Sequence, residues 1–441
     1  MPRAPQRGFT YDVTPWATRL NILFVADVSA AAVIGGAERV LYEQSSRLAR
    51  RGYRVHILTR RRPEHATDLQ IIGGAHEWRY AIDPRNSISY LLSTLVNARR
   101  LFESLHAQFK FDCINFHQPF AACGVLASPR AKPIPKTYTC HSLSFEEFMS
   151  RNERPAGFFP GRVHQLNLLI RKHLEKRALK RSDPIVVLSR YTAEKLNRAY
   201  DMAGRRHLII PGGVDLQQFQ PAADKPAIRR KLNLPPDRVV LLTVRNLVPR
   251  MGLDNLISAF RKLVQRAPDL FLVIGGDGPL KNALADQIDS LGISNHVKLV
   301  SFIPEAQISD YYRMADMFIL PTRELEGFGL VTLEAMASGV PVLGTPVGGT
   351  QEILKRFDPA FLFRDDEPDS LAALILENYR IIRNHPYQWR QSCARCRDFV
   401  EKHFSWEKNV DRLEALFEQM GTQGPPRTSA RLNNSICASG R

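Results

Sequence analysis

The order of apolar segments constrains the fold of this 441-residue chain more than any other feature. A short apolar run at residues 21–26 is followed by a glycine loop, a helical pattern at 37–51 and a second apolar run at 53–58. A strand, a helix and a second strand at this spacing are typical of a parallel βαβ unit. The alternation continues to residue 188, and its strands are short and largely apolar, without a regular alternation of polar and apolar residues. Such strands are expected in a sheet that helices cover on both faces.

A second series of the same kind starts after the turn Pro211-Gly212-Gly213, with apolar runs at 239–244, 271–274, 297–300, 317–320 and 340–343. Two such series predict an α/β protein with two doubly wound, Rossmann-like domains that face one another across a cleft. We expect an N-terminal domain at 19–210 and a C-terminal domain at 211–392. The expected ending is a pair of helices at 393–420 and a disordered tail at 421–441.

The charge balance favours anionic partners. Lys and Arg number 61 against 44 Asp and Glu, which gives a net charge of +17. Nucleic acid, an acidic membrane surface and phosphate-bearing small molecules all fit this excess. No run of eighteen apolar residues occurs, which excludes a spanning helix, and residues 1–19 lack the apolar core of a secretory signal. We therefore expect a cytoplasmic protein.

The strongest motif runs from Glu326 through Gly327-Phe328-Gly329-Leu330 to Glu334, between two predicted strands. Glycines at a helix N-terminus let backbone amides approach an anion, and the helix dipole favours negative charge there. The two carboxylates are too far apart for a close acid–base pair. They suit hydrogen bonds to hydroxyls at two ends of one elongated ligand, such as a sugar and a ribose. They could equally be a helix-terminal charge and a solvated side chain.

The ordered set of motifs resembles the retaining glycosyltransferases of family 4, which have the GT-B fold. Glu326 and Glu334 match the family's E-x7-E motif. The other matching segments are Gly35-Gly36, Pro211-Gly212-Gly213, Arg245, Gly275-x-Gly-x-Gly278-Pro279, and Gly348-Gly349 with Glu352. The resemblance implies transfer of a sugar from a nucleoside-diphosphate sugar to a hydroxyl acceptor, such as a glycan or lipid-linked precursor. It implies no cofactor and no metal, and the chain contains no D-x-D tripeptide. It also implies that the helices at 393–420 cross back to the N-terminal domain.

The resemblance also implies roles for single residues. Arg245 would stabilise the diphosphate leaving group, and Glu326 would lie near the transferred sugar. Glu334 would accept hydrogen bonds from the ribose. The backbone of residues 327–330 would meet the donor phosphates.

Two sites on the N-terminal side complete this set. The loop at Gly35 and Gly36 would close over the donor phosphates. His117 follows an apolar strand at the edge where parallel sheets bind ligands, and the resemblance implies a contact with the donor sugar. A histidine bonded to nearby backbone is the competing interpretation.

One position departs from the family pattern. The family has a lysine six residues after the arginine, whereas this chain has Met251 there, preceded by Arg250. We expect Arg250 to supply the second cation; the alternative is a solvated surface arginine.

Residues 162–181 predict a basic amphipathic helix, which could lie on an anionic membrane or pack on the sheet with a solvated basic face. A membrane contact would suit a lipid-linked acceptor and would place the protein peripherally on the inner face of the membrane. Two other GT-B activities stay open, a sugar phosphorylase and a nucleotide-sugar epimerase. A nucleic-acid-binding protein is a weaker alternative, because no zinc spacing, helix-turn-helix or aromatic strand motif accompanies the charge. We expect no nucleic-acid partner.

Overall fold

The computed structural model describes residues 19–31, 35–151, 158–202 and 204–422. Within these ranges the chain forms two α/β units, each built on one sheet. The expectations for the residues before 19 and after 422 lie outside the described residues; Gly421 and Thr422 end the last helix.

The first unit has an eight-stranded sheet with the order β3-β4-β2-β1-β5-β6-β7-β8. Its elements are β1 (Asn21–Val25), α1 (Gly36–Arg50), β2 (Arg54–Arg60), β3 (Leu69–Ile72), β4 (Ala75–Tyr80), α2 (Ser87–Phe109), β5 (Cys113–Phe116), α3 (Pro119–Leu126), β6 (Lys136–Cys140), α4 (Ser144–Arg151), α5 (Phe158–Lys180), β7 (Ile185–Val187), α6 (Arg190–Tyr200) and β8 (His207–Ile209).

The second unit has a five-stranded parallel sheet with the order β11-β10-β9-β12-β13. Its elements are α7 (Lys225–Lys231), β9 (Val239–Val244), α8 (Leu253–Val264), β10 (Leu270–Gly275), α9 (Lys281–Ser290), β11 (Val297–Val300), α10 (Glu305–Met314), β12 (Met317–Leu320), α11 (Leu330–Ala337), β13 (Val342–Gly344), α12 (Gly348–Phe357), α13 (Pro368–Asn384), α14 (Pro386–His403) and α15 (Trp406–Thr422).

Burial explains why the strands are continuously apolar. The central strand β1 pairs in parallel with both β2 and β5, and its Ile22, Leu23, Phe24 and Val25 are fully buried. Because both faces of the sheet are covered, side chains on both faces are apolar. The predicted architecture of two doubly wound parallel sheets is therefore confirmed.

The hairpin of β3 and β4 was not predicted. These strands are antiparallel to each other at the edge of the first sheet, and β3 is largely exposed. β3 has only four residues, and Gln70 interrupts its apolar side chains, so the criterion of a continuous apolar run does not find it.

Helix α15 returns from the second unit to the first. Its Val410, Leu413 and Phe417 share a core with β1 and α1, and Phe417 packs edge-on against Phe24 at 6.0 Å. The preceding helix α14 instead contributes Trp389, Cys396 and Val400 to the core of the second unit. The crossing thus begins at Trp406. No helix in the described ranges is both long and apolar enough to span a bilayer.

Candidate active site

The loop between β12 and α11 carries the first glutamate of the motif and leads into an uncapped helix. Gly329 precedes α11 in the left-handed region, at φ 88°, and no side chain caps this N-terminus within the described chain. The Thr332 amide donates to the Gly329 carbonyl at 3.0 Å, and the amides of Leu330 and Val331 are left to water or a ligand. An N-terminus of this kind attracts anions through its free amides and its dipole.

Two glycines at the start of α12 fix the loop by packing backbone against backbone. Gly349 donates its N–H to the carbonyl of Glu326 at 2.9 Å. A Cβ on Gly348 would lie 1.9 Å from that same carbonyl oxygen, and a Cβ on Gly349 would lie 2.4 Å from Cα of Phe328. Gly348 also has a φ of 60°. Only glycine allows this approach without displacing the loop.

Arg245 and Glu326 form a buried ion pair between Nη2 and Oε2. The guanidinium also contacts Oγ1 of Thr322 at 3.3 Å and Sδ of Met251, which lies 2.8 Å from Nη2. Its Nη1 atom makes no hydrogen bond within the described residues. The fork is therefore oriented by the protein while one of its nitrogens stays open to a ligand.

Glu334 lies on α11 beside a cation of the first unit. It accepts a hydrogen bond from the buried Tyr312 hydroxyl at 2.7 Å. Burial raises the pKa of Glu334, and the Arg39 guanidinium of α1 and the Tyr312 hydroxyl act against that rise. Arg39 also bridges the two units through an ion pair with Glu305 at 2.5 Å. A carboxylate beside Arg39 and Tyr312 can accept hydrogen bonds from a polyol.

The first unit contacts the loop between β12 and α11, which we call the motif loop. The Gly327 carbonyl accepts hydrogen bonds from Ser189 at 2.6 Å and Thr192 at 3.2 Å, both at the start of α6. A Cβ on Gly327 would lie 2.4 Å from the carbonyl oxygen of His141. Gly36 opens α1 with its Cβ position 3.7 Å from Leu330. Gly35, which immediately precedes α1, and Gly36 therefore sit over the entry to α11.

His117 is separated from the motif loop by His141, whose carbonyl oxygen faces Gly327. Its Nδ1 is 3.0 Å from Nε2 of His141, and its Nε2 is 3.3 Å from the amide nitrogen of Asn115. Burial lowers the pKa of His117 well below its usual range and that of His141 to about 4, so both rings are neutral at neutral pH. Both nitrogens of His117 have protein partners, and its contact with a donor sugar stays a prediction.

Arg250 lies against the loop that carries Glu326 and against the first unit. Its Nη1 donates to the carbonyl of Leu325 at 3.1 Å, and its Nη2 lies 3.7 Å from Glu147 of α4. Met251 is buried in the position that the family gives to lysine. Arg250 thus contacts the backbone of Leu325, the residue before Glu326, and its role as the second cation stays a prediction.

Several participants were not found from the sequence. They are Arg39, His141, Ser189, Thr192, Tyr312 and Thr322. His141 directly follows β6, the same signal that identified His117 after β5. The others lie inside ordinary helical or loop patterns, and only tertiary packing brings them to the site. In the described ranges no three His, Cys, Asp or Glu side chains are grouped closely enough to hold a metal ion.

Two family models match the chain in succession. Residues 34–218 match Glycosyltransferase Family 4, and residues 224–385 match Glycosyl transferases group 1. The chain belongs to glycosyltransferase family 4. This glycosyltransferase moves a sugar from a donor to a hydroxyl acceptor.

Relatives and solved structures agree with this assignment. The glycosyltransferase is 27% identical to D-inositol 3-phosphate glycosyltransferase of Streptosporangium roseum, over 87% of this chain and 88% of the relative. It is 38% identical to GDP-mannose-dependent alpha-(1-6)-phosphatidylinositol monomannoside mannosyltransferase of Mycolicibacterium smegmatis, over 39% of this chain and 46% of the relative. Sucrose-phosphate synthase from Thermosynechococcus elongatus shares the fold. Its TM-score is 0.76 at 23% identity, with 91% of this chain and 99% of that chain covered. The GT-B architecture predicted from the sequence is confirmed.

Proposed function

We propose that the donor is a nucleoside-diphosphate sugar, held mainly by the second unit with its diphosphate between Arg245 and the N-terminus of α11. The observation that carries the proposal is the buried Arg245–Glu326 pair beside a helix N-terminus that no described side chain caps. The Mycolicibacterium smegmatis relative, whose name specifies GDP-mannose, supports a donor of this class.

The reaction builds up negative charge on the donor phosphate, next to the positive groups of this site. As the bond between the anomeric carbon and the β-phosphate oxygen breaks, its electron pair stays on the phosphate. The Arg245 guanidinium and the amides of α11 are already oriented, so they stabilise this charge without reorganising. Glu326 holds the guanidinium and limits its rotation, and Glu334 is placed to accept hydrogen bonds from the ribose.

We further propose that the enzyme retains the anomeric configuration and needs no metal. The acceptor oxygen would attack the face that the phosphate leaves, and the acceptor proton would pass to an oxygen of the departing β-phosphate. One carbon–oxygen bond breaks and one forms, and the proton is conserved. The positive charge that a divalent cation supplies elsewhere would come from Arg245 and backbone amides.

A donor screen with product analysis tests this function. We expect one of UDP-, GDP- or ADP-sugars to be consumed in the presence of an acceptor, with turnover unchanged by EDTA. NMR of the product should show the anomeric configuration of the donor. Inversion would rule out the retaining mechanism, and loss of activity in EDTA would rule out metal independence. Consumption that requires inorganic phosphate, or isomerisation without an acceptor, would instead indicate a phosphorylase or an epimerase.

We propose that the acceptor is lipid-linked and that the first unit contacts an anionic membrane. Exposed apolar side chains follow one stripe of α2 and one of α5, and both helices pack against α3. These side chains are Ile88, Leu92 and Val96 on α2 and Val163, Leu166 and Leu169 on α5. Exposed Lys172, Arg177 and Lys180 add positive charge to α5. An apolar stripe flanked by basic residues is typical of helices that bind anionic lipid.

Vesicle sedimentation tests the membrane contact. We expect binding to vesicles of phosphatidylcholine with phosphatidylglycerol, weaker binding at high salt, and little binding to phosphatidylcholine alone. The double substitution Leu166→Glu and Leu169→Glu should weaken binding on the order of 10-fold or more. Tyr387→Glu, at an exposed aromatic of the second unit, is the matched control. Equal binding by both variants would refute this surface.

A further inference from the structure

Glu352 has no part in the proposed donor site, although it belongs to one of the matching sequence segments. It lies on α12, three residues after Gly349, whose N–H holds the Glu326 carbonyl. Its carboxylate accepts two N–H groups of the first unit. Tyr191 donates to Oε1 at 2.6 Å, and Arg190 donates to Oε2 at 3.2 Å. A side chain of the second unit thus caps helix α6 of the first.

The cap that α6 supplies itself leaves these two amides over. Its N-cap residue Ser189 accepts the N–H of Thr192 at 3.1 Å through its hydroxyl and the N–H of Ala193 at 3.3 Å through its carbonyl. The N–H groups of residues 190 and 191 have no acceptor within the helix, because the first turn of an α-helix offers none. The helix dipole favours negative charge at this end, so a carboxylate is a matching partner.

The same turn of α6 contacts the motif loop. The hydroxyls of Ser189 and Thr192 donate to the Gly327 carbonyl. The motif loop is also bonded to α12 through the Gly349 N–H, and residues three apart on a helix lie on the same side. The first turn of α6, the motif loop and the first turns of α12 therefore contact one another pairwise, and Glu352 makes the contact between the two helices.

We propose that Glu352 is a positioning residue for sugar transfer. By capping α6 it sets the place of the motif loop, and with it of Glu326, relative to the first unit. This inference rests on the proposed function, since it assumes that transfer takes place at the motif loop. The donor is assigned mainly to the second unit, so its binding does not need this contact. The acceptor is assigned to the first unit, so transfer between the two does.

Separate measurements of transfer and of donor affinity test this role. Single-turnover kinetics use the nucleotide sugar and acceptor that the donor screen selects, both at saturation. Glu352→Ala should lower the rate on the order of 10- to 100-fold, the range for hydrogen bonds to a charged group. Glu352→Gln keeps one acceptor oxygen and should recover part of the rate. Calorimetric affinity for UDP, GDP or ADP, whichever the wild type binds, should be the same in all variants.

Arg190→Pro removes one of the two donors from the side of the first unit. Residue 190 is the first of α6, where proline is tolerated because its N–H has no partner within the helix. The preceding Ser189 is extended, at φ −146° and ψ 160°, which suits a residue before proline. We expect a smaller loss of transfer than in Glu352→Ala, and no further loss when the two are combined. Arg190→Ala is the control, since it shortens an exposed side chain and keeps the N–H.

Asp224→Ala separates positioning from stability. Asp224 caps α7 within the second unit by accepting the Ala227 N–H at 2.9 Å, so its loss should lower thermal stability with little effect on transfer.

Hydrogen exchange gives a readout that needs no substrate. The amides of residues 190 and 191 should exchange faster in Glu352→Ala than in the wild type, and at the wild-type rate in Asp224→Ala. Unchanged exchange, wild-type transfer in Glu352→Ala, or fully additive losses with Arg190→Pro would overturn the positioning role. So would an equal fall in nucleotide affinity and transfer, which would indicate a damaged donor site. A wild type that binds none of the three nucleotides would refute the donor proposal alone.

Discussion

Replacing Arg245 with alanine is expected to lower the turnover number on the order of 10²- to 10³-fold, the cost of losing one preorganised charge stabiliser. The substitution removes the guanidinium that Glu326, Thr322 and Met251 hold in place. Charge on the departing diphosphate would then meet only the amides of α11. The measurement is single-turnover kinetics with saturating donor, which separates the chemical step from donor binding.

Removing one partner of a buried ion pair also destabilises the fold, so the kinetic effect needs two controls. The double variant Arg245→Ala with Glu326→Gln leaves no lone buried carboxylate. Arg229→Ala removes another buried arginine of the second unit. Arg229 lies on α7 and pairs with Asp316 at 2.7 Å. We expect Arg229→Ala to lower stability with little effect on turnover of the folded enzyme. Near-normal turnover in both Arg245 variants would remove the arginine from the mechanism.

Gly349→Ala is expected to displace the motif loop and to lower kcat/KM on the order of 10²-fold, since misplacing a catalytic group by about 1 Å has effects of this size. The new methyl would lie within 2.4 to 2.7 Å of three backbone atoms of Phe328, and backbone cannot move aside like a flexible side chain. Overpacking of this kind also lowers the free energy of unfolding by about 1–3 kcal/mol. Thermal unfolding and steady-state kinetics measure the two effects.

Gly204→Ala is the matched control, because a Cβ there meets nothing within 4 Å. It should leave both quantities near their wild-type values. Wild-type kinetics in Gly349→Ala would show that the position of the loop does not govern activity.

The buried framework could be predicted because burial on both faces leaves a direct pattern in the chain. β12 is apolar throughout, and β1 and β9 each have a single polar residue, Asn21 and Thr243; the order of such strands predicts two parallel sheets. The motif from Glu326 to Glu334 could be placed because its glycines stand between two such strands. What remained undetermined was the partner of each polar side chain.

Arg250 shows why those partners were out of reach. Its place one residue before the family's lysine position suggested a second cation for the leaving group. The sequence did not indicate that its guanidinium contacts Leu325 and Glu147, and Glu147 is more than a hundred residues distant in the chain. Arg39 beside Glu334 is a similar case, since α1 and α11 meet only when the two units close together. Pairings between units depend on how the units dock, which periodicity and spacing do not encode.

The central claim is that Arg245 and the start of α11 receive the diphosphate of the donor. The most direct measurement is a crystal structure of the enzyme with a bound nucleoside diphosphate. We predict β-phosphate oxygens within hydrogen-bonding distance of the Arg245 guanidinium and of the Gly329 and Leu330 amides. A diphosphate bound elsewhere, with Arg245 still enclosed by Glu326, Thr322 and Met251, would contradict the account.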